Sequence, residues 1–534
     1  MKEQLGYKLM LAFEGYAPPE RIVAWIQQRP LGGFSLFRPL NVQSPGQVRE
    51  LTGQLQALAR RVGQPPLLIA TDQEGGQLNA LGEETTQFAG NMALAAVGDA
   101  DLAFGVGQAI GRELAAMGVN VNYAPNCDLN SNPDNVAAGI RTFGDEPALA
   151  ATLAAAYVSG LQAVGVAATV KHFPGKGAAN VDSHYQLPLI KHNRERLMAV
   201  EARPFQAALH AGARLAMTGH FALPALTGSD ELPATLSRAV MHDFLRQELG
   251  FTGVTISDAL DMGALTQGAG QIVDVIAATR AEVDLLLTTN QPEVQERILV
   301  GLQLAYGRQL IHNRHLTPSL QRIQALKDWV GGQEQPDLTV INGAAHRQLA
   351  QELAQRAITL VRDEAQLLPL KLPADARIAA LMPQPTDLTP ADTSSFIKPG
   401  LADAIRQYHP AVDAFITPFD PDPASIAALK ERIAQGGYDL LIVGTINASM
   451  TAGQATLARE LLALAIPTVM AALRVPYDLR AYPQATTYLC SYGILPPSMT
   501  ALAAALFGQA PISGQLPVTI AGLYPFGHGE QRAV

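Results

Sequence analysis

The sequence predicts an α/β protein, a (β/α)8 TIM-type barrel followed by a second α/β sandwich domain. Three observations predict it. Between about residues 20 and 310, short β-branched apolar runs alternate with longer helical patterns, as repeated βα units on a parallel sheet do. The candidate strands finish, one after another, in polar or charged residues. A polar stretch, Gly331-Gly332-Gln333-Glu334-Gln335-Pro336-Asp337, then precedes a second series of strand and helix patterns.

The candidate strands are 31–37, 66–71, 119–124, 166–171, 214–219, 253–257 and 283–288, with helical patterns at 45–62, 99–117, 146–164, 193–212 and 237–249. Roughly seven or eight units over roughly 300 residues is the size of a (β/α)8 barrel, with a doubly wound open sheet as the competitor. The strand ends favour the barrel. Asp72-Gln73-Glu74, Asn126-Cys127-Asp128, Lys171-His172, His220 and Ser257-Asp258 close successive strands. In a barrel these ends converge on one face, where active sites sit; in an open sheet they spread along an edge. Beyond the polar stretch, a helix near 345–357 leads into strands at 358–361, 377–382, 439–443, 467–472 and 486–490. The expected domains are therefore 1–335 and 336–534, the second structural or peripheral rather than catalytic.

The 534 residues are 48% hydrophobic and 16% charged, enough apolar material for more than one core. A net charge of −9 without a long basic run argues against a nucleic-acid partner. The two cysteines, Cys127 and Cys490, read as reduced, buried thiols. The N-terminus mixes charges early and develops no signal-peptide core. No apolar stretch reaches the roughly 18–20 residues of a membrane helix; the Ala-rich run at 147–168 is broken by Tyr157, Ser159 and Gln162. A soluble cytoplasmic protein is the expectation, and the sequence leaves its oligomeric state open.

Several familiar signatures fail. In Gly105-Val106-Gly107-Gln108-Ala109-Ile110-Gly111 the third glycine comes one place late for a dinucleotide loop, within a helical pattern. Gly175-Lys176 lacks the rest of a phosphate loop. No paired Cys set or two-His helix suggests a metal site. No organic or metal cofactor is expected.

What survives lies at the strand ends. Lys171-His172-Phe173-Pro174-Gly175-Lys176-Gly177 runs into Ala178-Ala179-Asn180-Val181-Asp182-Ser183-His184. Glycines and proline predict a long loop over 173–188, and long loops are where catalytic groups concentrate. This string, with Asp72-Gln73-Glu74-Gly75-Gly76 before it and Thr255-Ile256-Ser257-Asp258-Ala259-Leu260-Asp261-Met262 after it, resembles glycoside hydrolase family 3. Within that family it is similar to the bacterial β-N-acetylglucosaminidases. Further matches lie at 32–37, 140–144 and 245–251, and downstream at 367–370 and 513–519.

The resemblance implies a retaining, exo-acting hydrolase of terminal β-linked N-acetylglucosamine, with a small carbohydrate as its partner. It maps the nucleophile onto Asp258, with Asp261 the weaker candidate, and the sugar-gripping set onto Asp72, Arg141, Lys171 and His172. In this branch the acid/base is a histidine paired with an aspartate, which maps onto His184 and Asp182. The chemistry agrees: several bidentate carboxylates and cationic donors must converge to orient a polyol. Two positions depart from the pattern, Gln77 where arginine is usual and Lys176 where histidine is usual. Three alternatives stay open: a phosphorylase, a family 3 β-glucosidase or xylosidase, and a catalytically dead sugar-binding protein. Whether the natural substrate is a cell-wall or a chitin fragment is also open.

Overall fold

A computed structural model describes residues 1–534. Eight short parallel strands make one sheet: β1 (Leu9–Leu11), β2 (Gly33–Ser35), β3 (Leu68–Thr71), β4 (Val121–Asn122), β5 (Ala167–Phe173), β6 (Leu215–Thr218), β7 (Val254–Ser257) and β8 (Leu286–Leu287). Their order is β8-β1-β2-β3-β4-β5-β6-β7, and a parallel bridge between Ile256 and Leu285 closes the ring. The expected barrel is therefore the fold. The expected strand positions omit β1, which is three residues long and directly follows the buried Lys8.

Alternation along the strands sorts side chains into two layers. Met10, Leu68, Ala70, Val121, Leu215, Met217, Val254, Ile256 and Leu287 fill the barrel interior. Their neighbours Leu9, Leu11, Phe34 and Ile69 join the surrounding helices in the outer layer. The helix Asn313–Gly331 brings Ile323, Leu326 and Val330 against the interior cluster. Its Lys327 ammonium donates to the carbonyls of Leu31, Gly32 and Pro66 at 3.1, 2.7 and 2.7 Å, which seals the N-terminal ends of the strands. Only the C-terminal ends remain open.

A second sheet of six strands follows: β9 (Thr359–Asp363), β10 (Ile378–Pro383), β11 (Val412–Thr417), β12 (Leu440–Thr445), β13 (Thr468–Ala472) and β14 (Thr487–Cys490). The order is β9-β14-β13-β12-β10-β11, with β9 antiparallel and the others parallel. The sequence does not announce β11. It is an edge strand in which Asp413, Ala414 and Ile416 are exposed, so its apolar residues follow no clean alternation. One face of this sheet packs into its own cluster with Leu401, Leu502 and Leu506. The other face, through Leu441, Val443, Met470 and Tyr488, belongs to the same apolar cluster as the barrel's outer layer. Both cysteines are buried and unpaired, and no helix is long and apolar enough to cross a membrane.

Candidate active site

The open strand ends carry a network of buried charge. Lys171, near the end of β5, donates to Asp72 at 2.5 Å and to Glu74 at 2.7 Å. Arg141 grips Glu74 with Nε at 2.9 Å and Nη2 at 2.7 Å, and its Nη1 donates to the Ala137 carbonyl at 3.0 Å. Burial opposes the charge on Glu74, but Arg141 and Lys171 outweigh it and bring the carboxyl down to about 2. These contacts use three of Arg141's five N–H donors and two of Lys171's three, so both cations keep donors for a ligand.

Asp258 follows β7. Its backbone N–H donates to the Thr218 carbonyl, and Oδ1 accepts from the Ala259 N–H at 2.9 Å. His172 Nε2 stands 3.9 Å from Asp258 Oδ2. Burial opposes the Asp258 charge, yet His172, Lys176, His220 and His184 around it hold the carboxyl well below the usual carboxylate range. Burial pulls the His172 ring well below the usual imidazole range and lowers the Lys176 ammonium too, while Asp258 and Asp128 beside Lys176 favour its charged form. Behind them sits Asp128, fully buried. It accepts from the backbone N–H groups of His172 and Lys176 at 3.3 and 2.8 Å and lies 2.8 Å from His172 Nδ1. An ionised carboxylate only accepts, so Nδ1 carries the proton and Nε2 faces the cavity with a free lone pair. His220 is a satisfied core histidine, bonded to Thr235 and the Ala259 carbonyl.

The loop after β5 leaves the strand at Pro174 and runs without regular structure to Pro188, much as its composition predicts. It is pinned on both flanks. Gly177 lies so close to Leu129 that an added Cβ would stand 1.5 Å from the Leu129 carbonyl oxygen. The N–H groups of Gly263 and Ala264 donate to the carbonyls of His184 and Ser183, tying the loop to the segment after Asp258. Within it, His184 Nδ1 lies 2.7 Å from Asp182 Oδ1, which also accepts the His184 backbone N–H at 3.0 Å. Burial opposes the Asp182 charge, but these His184 contacts bring it down to about 2.

Asp72, Arg141, Lys171, His172, His184 and Asp258 line one cavity of about 650 Å³, and Asp182 stands directly behind His184. The structure thus brings all seven sequence-predicted site residues together. Asp261 lines the same cavity and accepts a hydrogen bond from Thr289. Glu74 and Asp128 were not singled out from sequence, although both stand in the polar strand ends that marked this face. Their spacing held the signal: each lies two residues beyond another polar group, Asp72 and Asn126. Second-domain residues 387–396 also line the cavity. Thr393 donates twice to the Gln77 carbonyl, at 2.8 Å from its N–H and 3.0 Å from its hydroxyl, and accepts the Asn79 N–H at 3.0 Å. The departure at Gln77 therefore falls where the two sheets' loops meet.

Residues 3–326 match the family model for the glycosyl hydrolase family 3 N-terminal domain. The chain is 32% identical to β-hexosaminidase A of Pseudoalteromonas piscicida, over 97% of this chain and 96% of that one. It is 30% identical to a β-N-acetylglucosaminidase/β-glucosidase of Cellulomonas fimi, over 85% and 83%. Among solved structures, a family 3 β-N-acetylglucosaminidase from Paenibacillus sp. str. FPU-7 superposes with a TM-score of 0.91 at 33% identity, covering 97% of this chain and 99% of that one. A match over more than half of the sequence, full-length relatives and a shared two-domain architecture agree with the strand-end chemistry: this chain belongs to glycosyl hydrolase family 3.

Proposed function

We propose that this glycoside hydrolase is a retaining, exo-acting β-N-acetylglucosaminidase in which Asp258 is the nucleophile and His184, oriented by Asp182, is the acid/base. One observation carries the proposal: His184 lines the same cavity as the strongly ionised Asp258 and is held 2.7 Å from a carboxylate. The relatives' names supply the N-acetylhexosaminide class.

An ionised Asp258 is ready to attack the anomeric carbon without first losing a proton. Asp182 accepts from Nδ1, fixing the tautomer and supporting the imidazolium, so Nε2 is the nitrogen that gives a proton to the departing oxygen. In the second half-reaction the same nitrogen takes a proton from water as the glycosyl-aspartate opens. Asp72, Arg141, Lys171 and His172 grip the terminal sugar, Arg141 and Lys171 with the donors their ion pairs leave open, and Asp72 and the His172 Nε2 lone pair as acceptors. The catalytic unit is residues 1–335, and 336–534 completes the cavity wall.

The test exploits leaving-group chemistry. A nitrophenolate leaves without help, whereas a sugar alkoxide needs a proton. His184→Ala should lose roughly 10²–10⁴-fold more activity on a disaccharide than on a nitrophenyl glycoside. Azide should rescue the variant and yield a glycosyl azide. Equal losses on both substrates without azide rescue would move the acid elsewhere. Running nitrophenyl N-acetylglucosaminide beside the glucoside, with and without phosphate, separates this function from the glucosidase and phosphorylase alternatives.

A further inference from the structure

The chain is acidic overall, with a net charge of −9, yet one stretch of it is not. From Arg297 to Lys327 there is no aspartate or glutamate, while Arg297, Arg308, Arg314, Arg322 and Lys327 are cationic and His312 and His315 are titratable. Lys327 and Arg322 are accounted for, bound to carbonyls and to Asp284. Arg314 and His315 are not. They open the helix Asn313–Gly331, whose first turn holds no acidic residue. Cations placed there oppose the helix dipole, which favours negative charge at an N-terminus.

Folding adds to this excess instead of cancelling it. Arg280, at the end of the helix Gln271–Arg280, and Arg238, just before the helical segment Ala239–Glu248, join Arg314 and His315 around a cavity of about 630 Å³. The one acid in its lining is Glu282. That carboxylate lies 3.4 Å from Arg238, 3.4 Å from Arg246 and 2.8 Å from His242, so it is shared among three groups. Arg280 and Arg314 are exposed and stand in no ion pair. The only side-chain hydrogen bond of Arg314 goes to another basic group, His315 Nε2 at 3.3 Å. The other ring nitrogen of His315 faces the His312 N–H at 3.2 Å. A neutral imidazole accepts at one nitrogen only, so one of these donors lacks an acceptor. Burial, with Arg314, His312 and Arg280 around the ring, also lowers the pKa of His315.

Three guanidiniums around one concavity repel each other, and an anion with several acceptor oxygens turns that repulsion into binding. A single carboxylate satisfies one guanidinium fork. A phosphate group carries more charge and more oxygens, and planar forks engage it bidentately from several sides at once. The cavity is larger than one phosphate group and leaves room for an organic body or a second phosphate.

We infer that Arg238, Arg280, Arg314 and His315 form a binding site for a phosphate-bearing ligand, a phosphomonoester or diphosphate, separate from the sugar cavity. None of these residues lines the cavity around Asp258, so the site stands independently of the proposed function. Titration calorimetry of the full chain with inorganic pyrophosphate should show one site, with no comparable heat from sodium chloride at matched ionic strength. Arg280→Gln and Arg314→Gln, both at exposed positions, should each weaken binding about tenfold, the scale of one charge-assisted hydrogen bond. Both variants should cleave nitrophenyl N-acetylglucosaminide as the wild type does. Glu282→Gln removes the competing carboxylate and should tighten binding severalfold; unchanged affinity would overturn the assignment of these four residues. A second arm separates a soluble phosphate compound from a lipid headgroup, using flotation with phosphatidylglycerol vesicles against phosphatidylcholine vesicles. Pyrophosphate binding without vesicle capture assigns a soluble ligand. Capture by phosphatidylglycerol, lost in the double variant Arg280→Gln/Arg314→Gln, assigns a headgroup. Binding of neither probe, or binding unchanged in the double variant, overturns the site.

Discussion

The two ends of the barrel bury similar kinds of charge and use them differently. At the N-terminal end, Lys8 donates to the carbonyls of Val283 and Asp284 and to the Ser319 hydroxyl, and Lys327 to three carbonyls. Each ammonium has three N–H groups, and all are taken. Asp284 is likewise held by Arg246 and Arg322. At the C-terminal end the same residue types stay unsaturated. Arg141 and Lys171 keep open donors. The buried Lys176 is hydrogen-bonded within the protein only through its backbone, its N–H donating to Asp128 and its carbonyl accepting from Asn135 and Ala179, while its ammonium has no protein partner. Saturated charge closes one end as structure. Unsaturated charge at the other end is capacity reserved for a ligand, since a buried donor without a partner is costly until one arrives.

The contrast breaks most sharply at Asp258. Asp258→Asn should lower turnover by more than about 10⁴-fold while leaving the melting temperature near wild type. A slow fluorinated sugar should label Asp258 in the wild type; label on Asp261 would reassign the nucleophile.

Glu74→Gln tests a residue that serves both purposes. It leaves Arg141 and Lys171 short of a buried counter-charge, which should cost about 3 kcal/mol of stability and roughly 10–100-fold in kcat/KM. Its pH signature is specific. The folded carboxyl sits at about 2 against an ordinary 4.5, so its stabilisation is fully present above about 4.5 and is lost as pH falls through about 2. Denaturation curves should therefore show the gap between wild type and variant closing over that window. A gap independent of pH would reject the ion-pair account.

Lys327→Met is the mirror experiment at the sealed end. Three carbonyls lose their donor, so stability should fall by about 2–4 kcal/mol, with activity per folded molecule unchanged. A change in KM would mean that the two ends are coupled. The smallest effect concerns Lys176→Met. Removing the Lys176 cation beside Asp258 raises that carboxyl's pKa, so the acidic limb of kcat/KM should move upward by roughly one unit. An unmoved limb would show that Lys176 does not set the nucleophile's charge.

Much of the barrel was legible because its signals are local. A strand's apolar run, a helix's period and a loop's glycines are each written within a dozen residues, and the polar strand ends marked the correct face. Two strands escaped for equally local reasons: β1 is only three residues long, and β11 is a half-exposed edge. Glu74 and Asp128 escaped for a different one. Nothing in Asp72-Gln73-Glu74 says which carboxylate will meet Arg141, 67 positions away.

The sequence by itself determined the βα order, the place of the active face, the family and the segments that carry Asp258 and the Asp182–His184 pair. These follow from short-range pattern and from motifs whose residues lie close together along the chain. Tertiary structure alone decided that Glu74 would join Arg141 and Lys171, that Asp128 would fix His172, and that a loop 316 positions from Gln77 would bond to it and wall the cavity. The physical reason is separation. Hydrogen bonds and ion pairs are made wherever folding brings donors and acceptors within about 3 Å, and a linear pattern carries no distance between residues that only the packed core brings together.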